Sequence, residues 1–227
     1  MSDIKLATVR RTSVDEVFDY LHAEITSLRL LPGDKISEAE IAARFGVSRQ
    51  PVRDAFSRLA NLDLLLIRPQ RATEVKRFSK REITKSRFMR SAIEVEVVRR
   101  AVEAKNPDSE ARLKANLGEQ AIAVKADDFA QFSQLDYEFH KIICELAGTD
   151  YAFEIIQEEK AKVDRLCLLS LSKEDRMPEL LEDHTIIANG IINGNADEAV
   201  ATCKKHLGRL DDTIISIEER NARYFTQ

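Results

Sequence analysis

Apolar residues recur along this chain at helical intervals, with one early region where the period changes. Between residues 12 and 28, Val14, Val17, Phe18, Leu21, Ile25 and Leu28 fall on one face of a helix. His22 lies beside that stripe and reads as structural or solvated. Leu31-Pro32-Gly33-Asp34 reads as a turn. A short helix over 37–45 follows, with Ser37 and Glu40 in capping-box spacing and Ile41, Ala42 and Phe45 on its buried side. Past Gly46, Ser48 is placed to cap the next helix, and Pro51 sits in its first turn, where a missing N–H costs nothing. Val52, Ala55, Phe56 and Leu59 then repeat at i, i+3, i+4 and i+7, and Arg49, Gln50, Arg53 and Ser57 point away from them. Two short helices joined around a glycine predict a helix-turn-helix. The exposed start of the second, carrying two arginines and a glutamine, is suited to a DNA major groove.

The period then shortens. Leu64-Leu65-Leu66-Ile67 and Thr73-Glu74-Val75 flank Arg68-Pro69-Gln70-Arg71, a pattern that predicts a β-hairpin wing with a basic tip. Arg68 and Arg71 there suit phosphate or minor-groove contacts, which supply affinity more than sequence choice. From residue 81 the pattern is helical to the end, with helices expected near 81–104, 108–125, 127–147, 150–170, 175–193 and 196–219. Asn106-Pro107, Gly148 and Asn193-Gly194 separate them. The expected fold is mainly α: an N-terminal winged helix-turn-helix over 8–76, a basic linker over 77–81, and an all-helical antiparallel bundle over 82–222 with room for a ligand.

Charge sharpens this division. Residues 1–80 hold 14 Lys/Arg against 11 Asp/Glu, and residues 81–227 hold 21 against 28, so a front of +3 precedes a body of −7. The 44% hydrophobic and 33% charged content fits a folded soluble chain rather than a disordered one. No apolar run has the length of a membrane span, no signal-peptide pattern opens the chain, and a cytoplasmic protein is expected. Cys144, Cys167 and Cys203 are odd in number and far apart, which fits reduced cysteines and excludes a disulfide framework or zinc ribbon.

The candidate chemistry lies in the second region. Asp136 and His140 are one helical turn apart and share a face that also carries Phe139 and Ile143, so they point inward. His184 and His206 follow on later helices. Three imidazoles and one carboxylate make a donor set for a divalent transition metal: zinc, nickel, manganese or iron. Hydrogen-bonded core histidines are the competing reading of the same residues. An ion held this way keeps positions open for water or an acid metabolite.

At these residues the chain resembles a known family. Val17 through Val75 is similar to the winged-helix domain of GntR-type bacterial transcription regulators, on Leu31-Pro32-Gly33-Asp34-Lys35-Ile36-Ser37-Glu38, Phe45-Gly46-Val47-Ser48-Arg49-Gln50-Pro51-Val52-Arg53-Asp54-Ala55 and Arg68-Pro69-Gln70-Arg71-Ala72. The remainder resembles the FCD ligand domain of the FadR-like branch, on Arg90 and Glu94, Leu135-Asp136-Tyr137-Glu138-Phe139-His140, Glu182-Asp183-His184 with Ile187, and His206-Leu207. The resemblance implies that Ser48, Arg49 and Arg53, with Gln50 adjacent, contact DNA. It implies that Asp136, His140, His184 and His206 hold a metal, zinc first. Arg90 matches an arginine that faces the effector cavity and can grip a carboxylate, although a salt bridge to Glu94 one turn away explains it equally well. Ala39, Asp63 and Ala72 depart from the family pattern, which has an arginine-like residue, a helix-ending glycine and a wing glycine there.

The expected function is a ligand-responsive repressor or other transcription regulator. It would be a homodimer on a pseudo-palindromic double-stranded operator, modulated by a small organic acid bound near the metal, and not an enzyme. The alternative is a metal-dependent enzyme acting on a small carboxylic acid, with an accessory DNA-binding domain and Glu138 or Glu182 as candidate base.

Overall fold

A computed structural model describes residues 12–169 and 176–226. The expected domain start at residue 8 and the expected helix ends at 170 and 175 lie outside them. The chain divides into two compact units, the first running to Phe78 and taking in the segment from Arg223 onward, the second spanning Ser79–Ala222.

In the first unit, α1 (Ser13–Thr26), α2 (Glu38–Phe45) and α3 (Arg49–Asn61) pack around one core. Thr12 caps α1 through a full capping box with Asp15, a reciprocal pair that satisfies two otherwise orphaned amides. At α2 only the forward half of the box forms, Ser37 accepting from Glu40 N. Gly46 ends α2 at φ 64°, a left-handed conformation that glycine adopts without penalty. Ser48 holds the N-cap backbone of α3, but its hydroxyl accepts no helix amide. The cause is local: Pro51 is the third residue of α3, so the N–H that a capping serine would take is missing.

Val17, Leu21 and Ile25 of α1 meet Val52, Ala55, Phe56 and Leu59 of α3, all fully or nearly fully buried. The wing forms from β2 (Leu65–Leu66) and β3 (Thr73–Val75), antiparallel, with Leu65 opposite Val75. A third strand was not expected: β1 (Lys35–Ile36) pairs antiparallel with the other edge of β3, giving the order β1-β3-β2. Two residues carry no period of their own, so β1 exists only through this long-range pairing. Phe78 closes the unit, donating through its amide to Tyr224 O at 2.9 Å and accepting from Thr226 N at 2.8 Å.

The second unit is helical throughout its described residues: α4 (Lys80–Ala104), α5 (Ser109–Lys125), α6 (Phe129–Leu146), α7 (Tyr151–Cys167), α8 (Met177–Asn193), α9 (Ala196–Gly208) and α10 (Leu210–Arg220). The expected final helix is two helices, so seven rather than six are described. The break falls at Gly208-Arg209, where glycine's freedom weakens helix continuity. His206 therefore sits in the last turn of α9 rather than mid-helix. The α8–α9 pair packs closely at Gly190, where an added Cβ would lie 2.7 Å from Ala199 Cβ and 3.0 Å from the Asn195 carbonyl oxygen. Both neighbours belong to the backbone or its first carbon and cannot swing away. Gly190→Ala is expected to destabilise this unit by about 1–3 kcal/mol, read as a lowered melting temperature.

Candidate functional site

Asp136 and His140 project from the inward face of α6, His184 from α8 and His206 from α9, all four buried. One potential ligand atom from each lies within 4.8 Å of the others. The Asp136 Oδ1 atom is 3.3 Å from His184 Nε2 and 3.8 Å from His140 Nε2. Sequence reasoning named these four, and the fold brings all of them together.

Each imidazole has a partner on its far side. His140 Nδ1 is 2.7 Å from Glu94 Oε2, and Glu94 in turn accepts from Arg90 Nε at 2.7 Å. His184 Nδ1 lies 2.8 Å from Gln120 Oε1, and Gln120 donates to Asn116 Oδ1 at 2.6 Å. Asn116 is held by the carbonyl of Leu135 at 3.1 Å. His206 Nδ1 is 3.8 Å from Asp183 Oδ2, and Asp183 is clasped by Arg209. Phe139 stacks on His184 with ring centroids 4.3 Å apart. Partners of this kind fix the tautomer and ring angle of metal-binding histidines. Gln120, Asn116 and Lys160 were not singled out from the sequence, and Asp183 entered only as a residue carrying the resemblance, with no role given to it. Their only signal is a polar residue on a helix face that otherwise turns inward.

Three ring nitrogens, His140 Nε2, His184 Nε2 and His206 Nδ1, are buried without a hydrogen-bond partner. An unmet buried polar atom costs about 1–3 kcal/mol, and the two that face Asp136, His140 Nε2 and His184 Nε2, lie together and need an explanation. A cation shared among them supplies one, and the N/O donor set fits a divalent transition metal.

Electrostatics suit the same role. Burial pushes His184 down to about 4 and pushes His206 down too, so both rings are neutral and able to ligate at pH 7. Burial pushes Asp136 up, but Lys160 and the neighbouring histidines hold its carboxyl well below the ordinary range. Glu94 behaves alike, with Arg90 and then His140 overcoming its burial. In metal-free protein the sign for His184 is set by a folded value below its unfolded one. Stability is kept above about pH 6.5 and falls as the pH drops toward about 4. The loss from this one ring is on the order of 3 kcal/mol, measurable by chemical denaturation of chelator-treated protein across that window.

Lys160 on α7 enters the chamber from another side. Its Nζ is 3.0 Å from Asp136 Oδ2 and 2.7 Å from Asp164 Oδ2, and 4.2 Å from the centroid of the Tyr137 ring. Glu138 and Glu182, the candidate bases of the enzyme reading, are both exposed on the outer faces of their helices.

In the first unit Ser48, Arg49, Gln50 and Arg53 are exposed along the start of α3, and Arg68 and Arg71 are exposed at the wing. Arg53 pairs with Glu38 at 2.9 Å, Gln50 donates to Asp54 at 2.9 Å, and Arg68 lies 3.3 Å from Glu74. Asp63, in place of a helix-ending glycine, adopts φ 62° after α3.

A winged helix-turn-helix followed by a helical unit with a buried Asp/His cluster defines a two-domain DNA-binding regulator. Residues 13–75 match the family described as bacterial regulatory proteins, gntR family, and residues 87–209 match the FCD domain. The chain belongs to the GntR family, in the group whose second domain is FCD. It is 32% identical over 212 residues to the HTH-type transcriptional repressor RspR of Escherichia coli (strain K12), covering 93% of each. It is 25% identical over 199 residues to a probable D-xylose utilization operon transcriptional repressor of Paenarthrobacter nicotinovorans, covering 87% of each. Among solved structures, E. coli McbR/YncC superposes with a TM-score of 0.67 at 19% identity, over 93% of this chain and 99% of that one. The family and these two repressors regulate transcription and are not enzymes. Among the described residues no helix is long and apolar enough to cross a membrane.

Proposed function

We propose that this transcription regulator is a repressor whose operator binding responds to a small organic acid held beside a divalent ion in the second unit. The supporting observation is the pair of unpartnered, buried imidazole nitrogens, His140 Nε2 and His184 Nε2, that face the Asp136 carboxylate, with His206 within ligand reach of all three residues. Asp136, His140, His184 and His206 would hold the ion, zinc first given three nitrogens and one oxygen, with nickel, manganese or iron as alternatives. The ion would offer its open positions to the acid. A guanidinium has five N–H donors, so the single bond from Arg90 Nε to Glu94 leaves capacity for a carboxylate.

The rest of the reading concerns DNA. Ser48, Arg49, Gln50 and Arg53 would read one half-site, with Arg68 and Arg71 on the phosphates. A homodimer with twofold symmetry would place two such helices on a pseudo-palindromic operator. The acid shifts occupancy only if it binds the free and DNA-bound arrangements with different affinity.

A thermal-shift screen of organic acids, with and without added zinc, tests the reading. A ligand of the folded state raises the melting temperature. The expected result is a rise with zinc, a further rise with one class of acid, and weaker retardation of operator DNA when that acid is present. No zinc in stoichiometric amount and no shift with any acid would leave the histidines as core residues.

A further inference from the structure

Lys160 is an unusual resident for a cation-binding chamber. It is buried, and its ammonium touches the carboxylate expected to hold the metal. The two oxygens of Asp136 are divided between two duties. Oδ1 faces His140 and His184, and Oδ2 faces Lys160. The ammonium is fixed from both flanks: Asp164 accepts from it, Tyr137 lies beneath it, and the Tyr137 hydroxyl donates to the same Asp164 oxygen at 2.8 Å. Burial pushes Lys160 down, but Asp136 and Asp164 more than reverse this, so it stays charged. The charged and titratable groups acting on it are Arg90 on α4, Asp136 and Tyr137 on α6, and Asp164 on its own helix α7.

We propose that Lys160 is a built-in competitor for the metal. It occupies the Asp136 carboxylate when no ion is bound and lowers the site's affinity when one is. The inference rests on the reading of Asp136, His140, His184 and His206 as ligands. Its physical content is Coulombic. A divalent ion on Asp136 Oδ1 meets a fixed positive charge on the other oxygen of the same carboxylate, in a poorly screened interior. Asp164 offsets part of that repulsion. The consequence is a site that exchanges its ion rather than holding it permanently.

This differs from a purely orienting role in the sign of its effects. If Lys160 mainly aimed Asp136 at the ion, removing it would weaken binding. If it competes, removing it strengthens binding, and removing Asp164, which shares it, weakens binding. The test is zinc affinity of the full-length chain, read by competition with a chromophoric chelator. Lys160→Met is expected to bind zinc about tenfold or more tightly. Lys160→Arg, which keeps the charge, should stay within about threefold of the parent, and Asp164→Asn should bind severalfold more weakly. Asp164 is half-exposed, so its variant keeps the test alive if Lys160→Met fails to fold. Equal or weaker binding by Lys160→Met, or equal or tighter binding by Asp164→Asn, overturns the proposal. If the parent chain itself binds no zinc, the metal reading falls first and takes this one with it.

Discussion

Replacing His184 with alanine is expected to abolish stoichiometric retention of a divalent ion. Of the four candidate ligands this residue is the most completely committed. It has no solvent exposure, its ring stacks on Phe139, and its Nδ1 is taken by Gln120, which aims Nε2 at Asp136 Oδ1. Burial also keeps it neutral, so a lone pair is available at neutral pH. Alanine removes one of three nitrogen donors, and no neighbour can take its place. Gln120→Leu should act more mildly, because it removes only the partner that holds the ring. An outer partner of this kind is typically worth about 10- to 100-fold in metal affinity. Elemental analysis after dialysis reads the first effect, and chelator competition reads the second. The thermal-shift response separates lost binding from lost folding. The parent should gain stability as zinc rises above its dissociation constant, and His184→Ala should not. A variant that kept a full equivalent of metal would remove His184 from the ligand set.

The four candidate ligands could be found in the sequence because their chemistry is rare and their spacing carries geometry. Asp136 and His140 stand one turn apart beside apolar residues, so they had to face inward together. The candidate reading helix α3 could be found for the same reason, since Val52, Ala55, Phe56 and Leu59 leave one polar side. What surrounds these four residues could not be found. Gln120 is an ordinary helix residue until α8 brings His184 to it, and Lys160 reads as a solvated charge until α6 brings Asp136. Glu94 was weighed only as a partner for Arg90, yet it bridges Arg90 to His140. Each is defined by a contact far along the chain, which periodicity does not encode. The strand β1 and the break at Gly208 escaped for a related reason: a two-residue strand and a helix end are decided by tertiary packing and by one glycine.

Arg49→Ala and Arg53→Ala are each expected to weaken operator binding by about 1–3 kcal/mol, roughly 5- to 150-fold. Both side chains are exposed on the polar face of α3, opposite the residues that anchor it, so neither substitution touches the core. Arg53 is held by Glu38 in the free protein, but an exposed pair of this kind is worth only about 0–1 kcal/mol. Exchanging that partner for a base edge or phosphate is therefore inexpensive. Arg68→Ala and Arg71→Ala at the wing should behave differently. They should weaken specific and non-specific DNA alike and lower the slope of log affinity against log salt by about one each. The comparison needs an operator selected from random DNA with the parent chain, then titrations at several salt concentrations. Helix variants that bind this operator like the parent would take Arg49 and Arg53 out of sequence reading. Helix variants that lose affinity for every sequence equally would place the two arginines on phosphates and move base recognition to another part of α3.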